Sequence, residues 1–181
     1  MSALGMVEVN SIPKGIEAGD AMLKAADVAL AAAQTACAGK YIVIVSGEVA
    51  AVKASVEAGK EAAAETLVDS IVIPNIDGQV TKAIGACTEA RPGGALGIIE
   101  TFSLASAIIC ADYAVKAADI ELIEIRLGRG LGGKSFVTLT GEVSAARHAV
   151  ETAQKAQETA GMVSRTVVIP SPHPDLMKEI Y

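Results

Sequence analysis

One stretch of the sequence has the spacing of a phosphate-binding loop. Gly128–Ser135 reads Gly-Arg-Gly-Leu-Gly-Gly-Lys-Ser, which satisfies the pattern of a glycine, four residues and then Gly-Lys-Ser. Such a loop binds phosphate because its backbone amides face the anion and a following helix directs its N-terminal dipole at it. The residues that follow here, 136–140, have a β-strand pattern instead of a helical one. We therefore do not expect nucleotide hydrolysis at this loop.

Three cysteines, Cys37, Cys87 and Cys110, are the next candidates for chemistry. Their number is odd and none forms a Cys-x-x-Cys pair, so the sequence predicts neither a disulfide framework nor a zinc site within one chain. Any metal site would need thiolates from several chains. Cys87 lies near a predicted linker and Cys110 falls inside a predicted helix over 103–118, so both are expected to be packing residues.

Catalytic side chains are not arranged convincingly anywhere in the sequence. His148 and His173 are the only histidines, and they lie far apart without ligand-like neighbours. The sequence also offers no Ser/His/Asp or paired-carboxylate arrangement suited to catalysis. We expect no catalytic residues, and hence a protein that is not an enzyme.

Composition limits the partners and the location. The 15 basic and 21 acidic residues give a net charge of −6, and no basic stretch is interleaved with aromatics, so nucleic acid is not expected as a partner. Apolar runs are broken well before the roughly 18 residues of a membrane span, and the first ten residues lack the basic region of a signal peptide. We expect a cytoplasmic protein. Hydrophobic residues make up 51% of the chain, which mildly favours oligomerisation.

The sequence repeats itself over nearly its whole length. At a shift of 92, Lys24-Ala25-Ala26-Asp27 falls on Lys116-Ala117-Ala118-Asp119; at 94, Gly47-Glu48-Val49 falls on Gly141-Glu142-Val143; and at 96, Val72-Ile73-Pro74 falls on Val168-Ile169-Pro170. Self-similarity of this kind indicates tandem domains. Because Pro and Gly interrupt both periodicities at 85–94, that segment is predicted as the linker, with domains at 1–88 and 93–181.

Hydrophobic periodicity, together with the residues that begin and end helices, predicts the order β-α-β-β-α-β in each domain. In the first copy, Ser11 is a plausible N-cap, and Ile16 and Leu23 recur at helical spacing. The predicted strands are 3–9, 28–35, 41–46 and 67–73, and the predicted helices are 11–27 and 48–65. This is the ferredoxin-like split βαβ arrangement, an α/β (α+β) fold class, repeated in the second copy.

Five motifs of this sequence resemble those of bacterial microcompartment shell domains. They are Leu-Gly-x-x-Glu at 4–8, Lys-Ala-Ala-Asp at 24–27, Gly-Lys at 39–40, Gly-Glu-Val at 47–49 and Val-Ile-Pro at 72–74. Two fused copies are similar to the tandem-domain members of that family. The resemblance implies a homotrimer whose six domains form a pseudohexagonal tile, packed with other shell proteins into a lateral sheet that encloses enzymes and controls passage.

The resemblance also implies roles for individual residues. Lys24 and Lys116 become candidates for the tile edge, where neighbouring tiles join, although an i, i+4 pair with Asp20 or Asp112 is by default a solvated helix face. An arginine that hexagonal members often carry after the last strand is missing from 73–77 and 169–173, which leaves the edge contact open.

The resemblance places two loops at a central pore. Their residues are Ala36, Cys37, Ala38 and Gly39 in the first copy and Gly130, Leu131 and Gly132 in the second. Cys37 is by default a small buried hydrophobe. If three loops converge on a threefold axis, however, three Cys37 thiolates reach one metal centre, which suits a [4Fe-4S] cluster, one per trimer, although zinc is also possible. A tandem member of the family carries such a cluster at this cysteine.

Two other functions stay open from the sequence. One is a shell tile with a metal-free metabolite pore, in which Cys37 is incidental. The other is a trimeric regulator that binds a small molecule between subunits, because a ferredoxin-like fold does not by itself decide function. Iron content separates the first from a cluster-bearing tile, and saturable nucleotide binding would favour the second.

Overall fold

The computed structural model describes residues 2–86, 88–90 and 93–180. Contacts divide the chain into two units. The first runs to Ile76 and includes Arg129–Gly133, and the second consists of Asp77–Gly128 and the chain from Lys134 onward. Cys87 and the Arg91-Pro92 part of the predicted linker lie outside the described residues.

The first unit is a four-stranded antiparallel sheet with two long helices. Its elements are β1 (Ser2–Val9), α1 (Ile12–Ala25), β2 (Ala29–Ala36), β3 (Lys40–Glu48), α2 (Val49–Ala63), a 3-10 turn (Ala64–Thr66) and β4 (Leu67–Pro74). The strand order is β2-β3-β1-β4, and β1 pairs with β3 in the register from Ser2 opposite Glu48 to Val9 opposite Tyr41. This is the predicted split βαβ order, with Ser11 at the N-cap of α1.

Small residues bring the helices close in the first unit. The buried side of α1 consists of Gly15, Ala18, Gly19 and Met22. On α2, a Cβ at Gly59 would lie 2.6 Å from Met22 Cγ, so glycine permits this approach. The buried Ser55 hydroxyl of α2 donates to the Met22 carbonyl at 2.9 Å. Val52 and Val56 of α2 are buried in the same core.

The second unit repeats this sheet and adds helices before and after it. Its elements are α3 (Gly78–Ile84), β5 (Ala95–Thr101), α4 (Leu104–Ala117), β6 (Ile120–Leu127), β7 (Ser135–Gly141), α5 (Val143–Lys155), a 3-10 turn (Gln157–Thr159), β8 (Val163–Ile169) and α6 (Pro174–Met177). The strand order is β6-β7-β5-β8, the equivalent of the first sheet. The predicted fold class and its duplication are confirmed.

Helix α3 occupies a segment that the sequence-based boundary assigns to the first domain. In the structure this segment belongs to the second unit, because Gln79 completes the open edge of β6. The Gln79 side chain accepts a hydrogen bond from the Leu122 amide at 3.0 Å and donates to the Ile120 carbonyl at 3.3 Å. The side-chain amide therefore takes the place of one residue of a neighbouring strand.

Candidate functional site

The turn between β2 and β3 holds Cys37 at its first position. Ala38 and Gly39 follow with φ angles of 63° and 72°, the left-handed conformation that tight hairpin turns require. Glycine adopts this conformation freely, whereas an alanine is disfavoured in it by about 1 kcal/mol. The hydrogen-bonded strands on either side keep the turn in place, so Cys37 lies on a short, well-defined loop and its side chain is partly exposed.

The loop between β6 and β7 owes its path to glycine. Gly128, Gly130, Gly132 and Gly133 all have positive φ angles, between 62° and 90°. A Cβ at Gly130, Gly132 or Gly133 would meet no atom of the chain within 4 Å. These glycines are therefore needed for backbone conformation and not for close packing within the chain.

The two predicted pore loops meet within the first unit, since Arg129–Gly133 belongs to it. The Gly130 amide donates to Cys37 Sγ at 3.0 Å. The Leu131 amide is the largest cause that lowers the pKa of the Cys37 thiol from its ordinary value, and the amides of Gly130, Gly132 and Gly133 act in the same direction. Backbone N–H groups favour the charged form of a sulfur atom, so the loop stabilises the thiolate.

Lys134, the lysine of the phosphate-loop pattern, is paired inside the second unit. Its Nζ lies 3.0 Å from Glu100 Oε2, which also accepts a hydrogen bond from the Ser164 hydroxyl. These two donors lower the pKa of Glu100. Strand β7 follows the lysine, as the sequence predicted, so the helix that a phosphate loop needs is not in this position.

The first copy has the same ion pair, which the sequence analysis did not identify. Lys40 Nζ lies 2.6 Å from Glu8 Oε1, and the Glu8 side chain is only 2% exposed. Each pair joins the first strand of a copy to the start of its third strand, next to the loop that precedes it. The recurrence of Glu8 as Glu100 and of Lys40 as Lys134 in the repeat could have revealed this contact.

Cys110 is a packing residue, as predicted. Its thiol is buried in α4 and donates to the Ala153 carbonyl at 3.7 Å, and burial raises its pKa to about 11.

His173 forms the N-cap of α6, where Nδ1 accepts from the Asp175 amide. Across the described ranges, His, Cys, Asp and Glu form no group of three that could hold a metal ion within one chain.

The predicted edge lysines lie on separate helices and in different surroundings. Lys24 Nζ is 2.6 Å from Asp20 Oδ2, and both side chains are mostly exposed. Lys116 Nζ is also 2.6 Å from Asp112 Oδ2, but the Asp112 side chain is 8% exposed and accepts from the Asp77 amide at 3.0 Å. Their role at a tile edge stays a prediction.

Helix α1 presents apolar side chains that have buried counterparts in the second copy. Ile12 and Ile16 are 40% and 56% exposed, whereas Leu104 and Ile108, the residues at the same positions of α4, are 1% and 0% exposed. Leu23, which shares the helical spacing of Ile16, is 40% exposed. The spacing seen in the sequence thus marks an outward stripe of α1 and not its core face.

Comparison with known proteins identifies the family. The BMC domain matches residues 3–76 and again residues 95–172. The chain belongs to the bacterial microcompartment shell proteins. The predicted family and the tandem arrangement are confirmed.

Full-length relatives narrow the type of shell protein. The chain is 39% identical to the bacterial microcompartment shell protein PduT of Citrobacter freundii over 178 residues, covering 98% of this chain and 97% of that protein. A crystal structure of a microcompartment protein from Desulfitobacterium hafniense matches with a TM-score of 0.95 and 52% identity, covering 98% of this chain and 99% of that one. This chain is accordingly a shell protein of the PduT type.

A more distant relative shares the same extent. The carboxysome assembly protein CcmO of Synechococcus elongatus is 31% identical over 191 residues, covering 98% of this chain and 68% of that protein. The matches therefore include a carboxysome assembly protein as well as a microcompartment shell protein. Within the described part of the chain, every helix is too short or too polar to cross a membrane.

Proposed function

We propose that three copies of this chain form a pseudohexagonal shell tile with a [4Fe-4S] cluster in its central pore, held by Cys37 of each copy, for electron transfer across the shell. The tile is a structural protein and not an enzyme. Lys24 and Lys116 lie at its edge and join it to other shell proteins, and the resulting sheet encloses enzymes. The cluster and the trimer rest on different observations.

The exposed stripe of α1 supports a homotrimer. In the second copy the counterparts Leu104 and Ile108 are buried within the chain. The same helix face is therefore covered in one copy of the fold. In the first copy Ile12 and Ile16 are left in contact with water. Ile12 and Ile16 are one helical turn apart on the same helix face, and neighbouring exposed apolar side chains favour a protein interface. The internal repeat favours a second copy of this chain as the protein that covers this face. In a symmetric oligomer every chain then makes the same contact.

The surroundings of Cys37 fit a cluster ligand. Its thiol is partly exposed, and the amides that face it favour the thiolate that binds metal. One chain brings a single described thiol to this loop, so three chains would supply three of the four thiolates that usually hold such a cluster. A bound cluster supplies one-electron chemistry, and the loops of the chain position and shield the sulfur.

Anaerobic purification followed by iron analysis, EPR and measurement of the oligomer mass tests this proposal. About four irons per trimer are expected, lost in Cys37→Ser and retained in the matched control Cys87→Ser. A wild-type trimer that takes up no iron on reconstitution would contradict the cluster. A monomer at micromolar concentration would contradict the tile.

A metal-free pore is the second candidate, favoured by one contact. The Gly130 amide already gives the Cys37 sulfur a hydrogen-bond partner at 3.0 Å, so the thiol is satisfied without a metal. In that case small polar metabolites pass through the pore, and Cys37 stabilises the two loops. The same iron analysis separates the two candidates.

A further inference from the structure

The phosphate-loop spacing of Gly128–Ser135 is followed by strand β7 and not by the helix that binds phosphate, yet the structure places this loop against an acceptor atom. In a phosphate loop, consecutive amides point at an anion. Here the Gly130 amide donates a hydrogen bond to Cys37 Sγ, with the nitrogen 3.0 Å from the sulfur. The acceptor lies 93 residues away in the sequence.

Glycine is required in this loop by backbone conformation. Gly130, Gly132 and Gly133 have φ angles of 72°, 62° and 90°, while the space around each would admit a side chain. Left-handed residues in a short segment turn successive N–H groups toward one side of the chain, which forms an anion-binding concavity. In this structure the atom that faces the Gly130 amide is Cys37 Sγ.

A second contact holds the loop over the cysteine. Arg129 Nη1 lies 3.4 Å from Oε1 of Gln34, which precedes Cys37 on β2. The start of the segment is therefore tethered to β2, so the position of its amides does not depend on the sulfur alone.

We propose that the backbone amides of Gly130–Gly133 are the hydrogen-bond donor shell of the Cys37 sulfur, a loop from the second copy of the repeat serving a ligand atom in the first. The donor shell itself is independent of the proposed cluster, but its redox consequence rests on that proposed function. Donation to a cluster-bound sulfur stabilises the more negatively charged, reduced state, so the loop raises the reduction potential. The glycine loop is thus a positioning and tuning element.

Hydrogen–deuterium exchange on the metal-free, full-length protein tests the donor shell directly. Amides in a peptide covering 128–134 are expected to exchange about tenfold faster in Cys37→Ala, which removes the acceptor, than in the wild type. Cys37→Ser keeps an acceptor oxygen and should fall between the two. Peptides from α5 serve as the internal control and should not change. Equal exchange of the loop in the wild type and Cys37→Ala would overturn the proposal.

A second pair of variants tests the redox consequence on iron-loaded protein. Gly130→Val places a β-branched residue at a left-handed position and should displace the donor, lowering the reduction potential measured by EPR-monitored titration. Gly161→Val is matched, because Gly161 also has a positive φ of 75° and open space, but lies in the turn before β8. Equal potentials in the two variants would overturn the tuning role. Protected loop amides in a protein that binds no iron would uphold the donor shell and refute only the cluster.

Discussion

The two copies of the repeat share one fold but differ in what they bury and in what their central loops carry. The first copy has a cysteine in its β2–β3 turn and an apolar stripe exposed on α1, while the second has four left-handed glycines in its β6–β7 loop and buries the matching residues of α4. Because the backbone scaffold is the same, these differences come from side chains and loops. They show that one copy supplies a partly exposed thiol and the other supplies the loop that contacts it.

The comparison of α1 with α4 predicts the largest change in the free energy of unfolding. Ile108→Ala removes a fully buried side chain and should destabilise the protein by about 2 to 5 kcal/mol, as cavity-forming substitutions do. Ile16→Ala, at the same position of the first copy, should change the free energy of unfolding of the isolated chain by less than about 1 kcal/mol and weaken the oligomer instead. Denaturant unfolding and sedimentation of both variants check this. Similar unfolding losses in both would remove the distinction between the two helices.

The cysteines should differ in reactivity by at least about a hundredfold. The pKa of Cys37 is lowered by loop amides, while burial raises the pKa of Cys110 to about 11 from 9.0. The thiolate is the nucleophile, and its fraction falls about tenfold for each pH unit below the pKa of the thiol. Cys37 should therefore be alkylated first as the pH rises. Cys110 should be alkylated only when the protein unfolds. Iodoacetamide labelling of metal-free protein against pH, followed by mass spectrometry, measures both sites. Labelling of Cys110 in the native protein near neutral pH would contradict its assignment as a packing residue.

The two Glu-Lys pairs should also differ in how much each stabilises the protein. Lys40→Ala leaves the buried Glu8 carboxylate without its cation and should cost about 1 to 3 kcal/mol. Lys134→Ala should cost less than about 1 kcal/mol, because Glu100 is 38% exposed and keeps the Ser164 hydrogen bond. Thermal unfolding of the two variants under identical conditions compares them. A larger loss for Lys134→Ala would mean that the loop after Gly128 depends on its lysine more than burial indicates.

The edge lysines predict the smallest effect. Lys24→Ala breaks an exposed i, i+4 pair and should change the free energy of unfolding by no more than about 0.5 kcal/mol. Lys116→Ala should cost somewhat more, since its Asp112 partner is mostly buried and also holds the Asp77 amide. Urea titration measures both. If the tile-edge role is right, sheet formation seen by electron microscopy is lost although stability hardly changes.

Local features of the sequence were enough for the repeat, the split βαβ order and the exclusion of a phosphate loop. Each depends on residues near one another in the chain: the alternation after Lys134 predicts a strand whatever the rest of the fold does, and β7 is there. The resemblance to shell domains placed Cys37 and the glycine loop at a pore as separate candidates. It could not bring them together, because no periodicity encodes which loop a thiol faces.

Tertiary structure alone decided three things. Gly130 meets Cys37 across 93 residues, Gln79 joins the helix after the first copy to the edge of β6, and Ile16 is exposed where Ile108 is buried. Helical spacing shows that apolar residues share a face but not whether anything covers it, since burial depends on elements distant in sequence. The sequence by itself thus determined what the repeated unit is. The packing of the chain decided that the first copy exposes the apolar face of its first helix, and that the glycine loop of the second copy lies against the sulfur of the first.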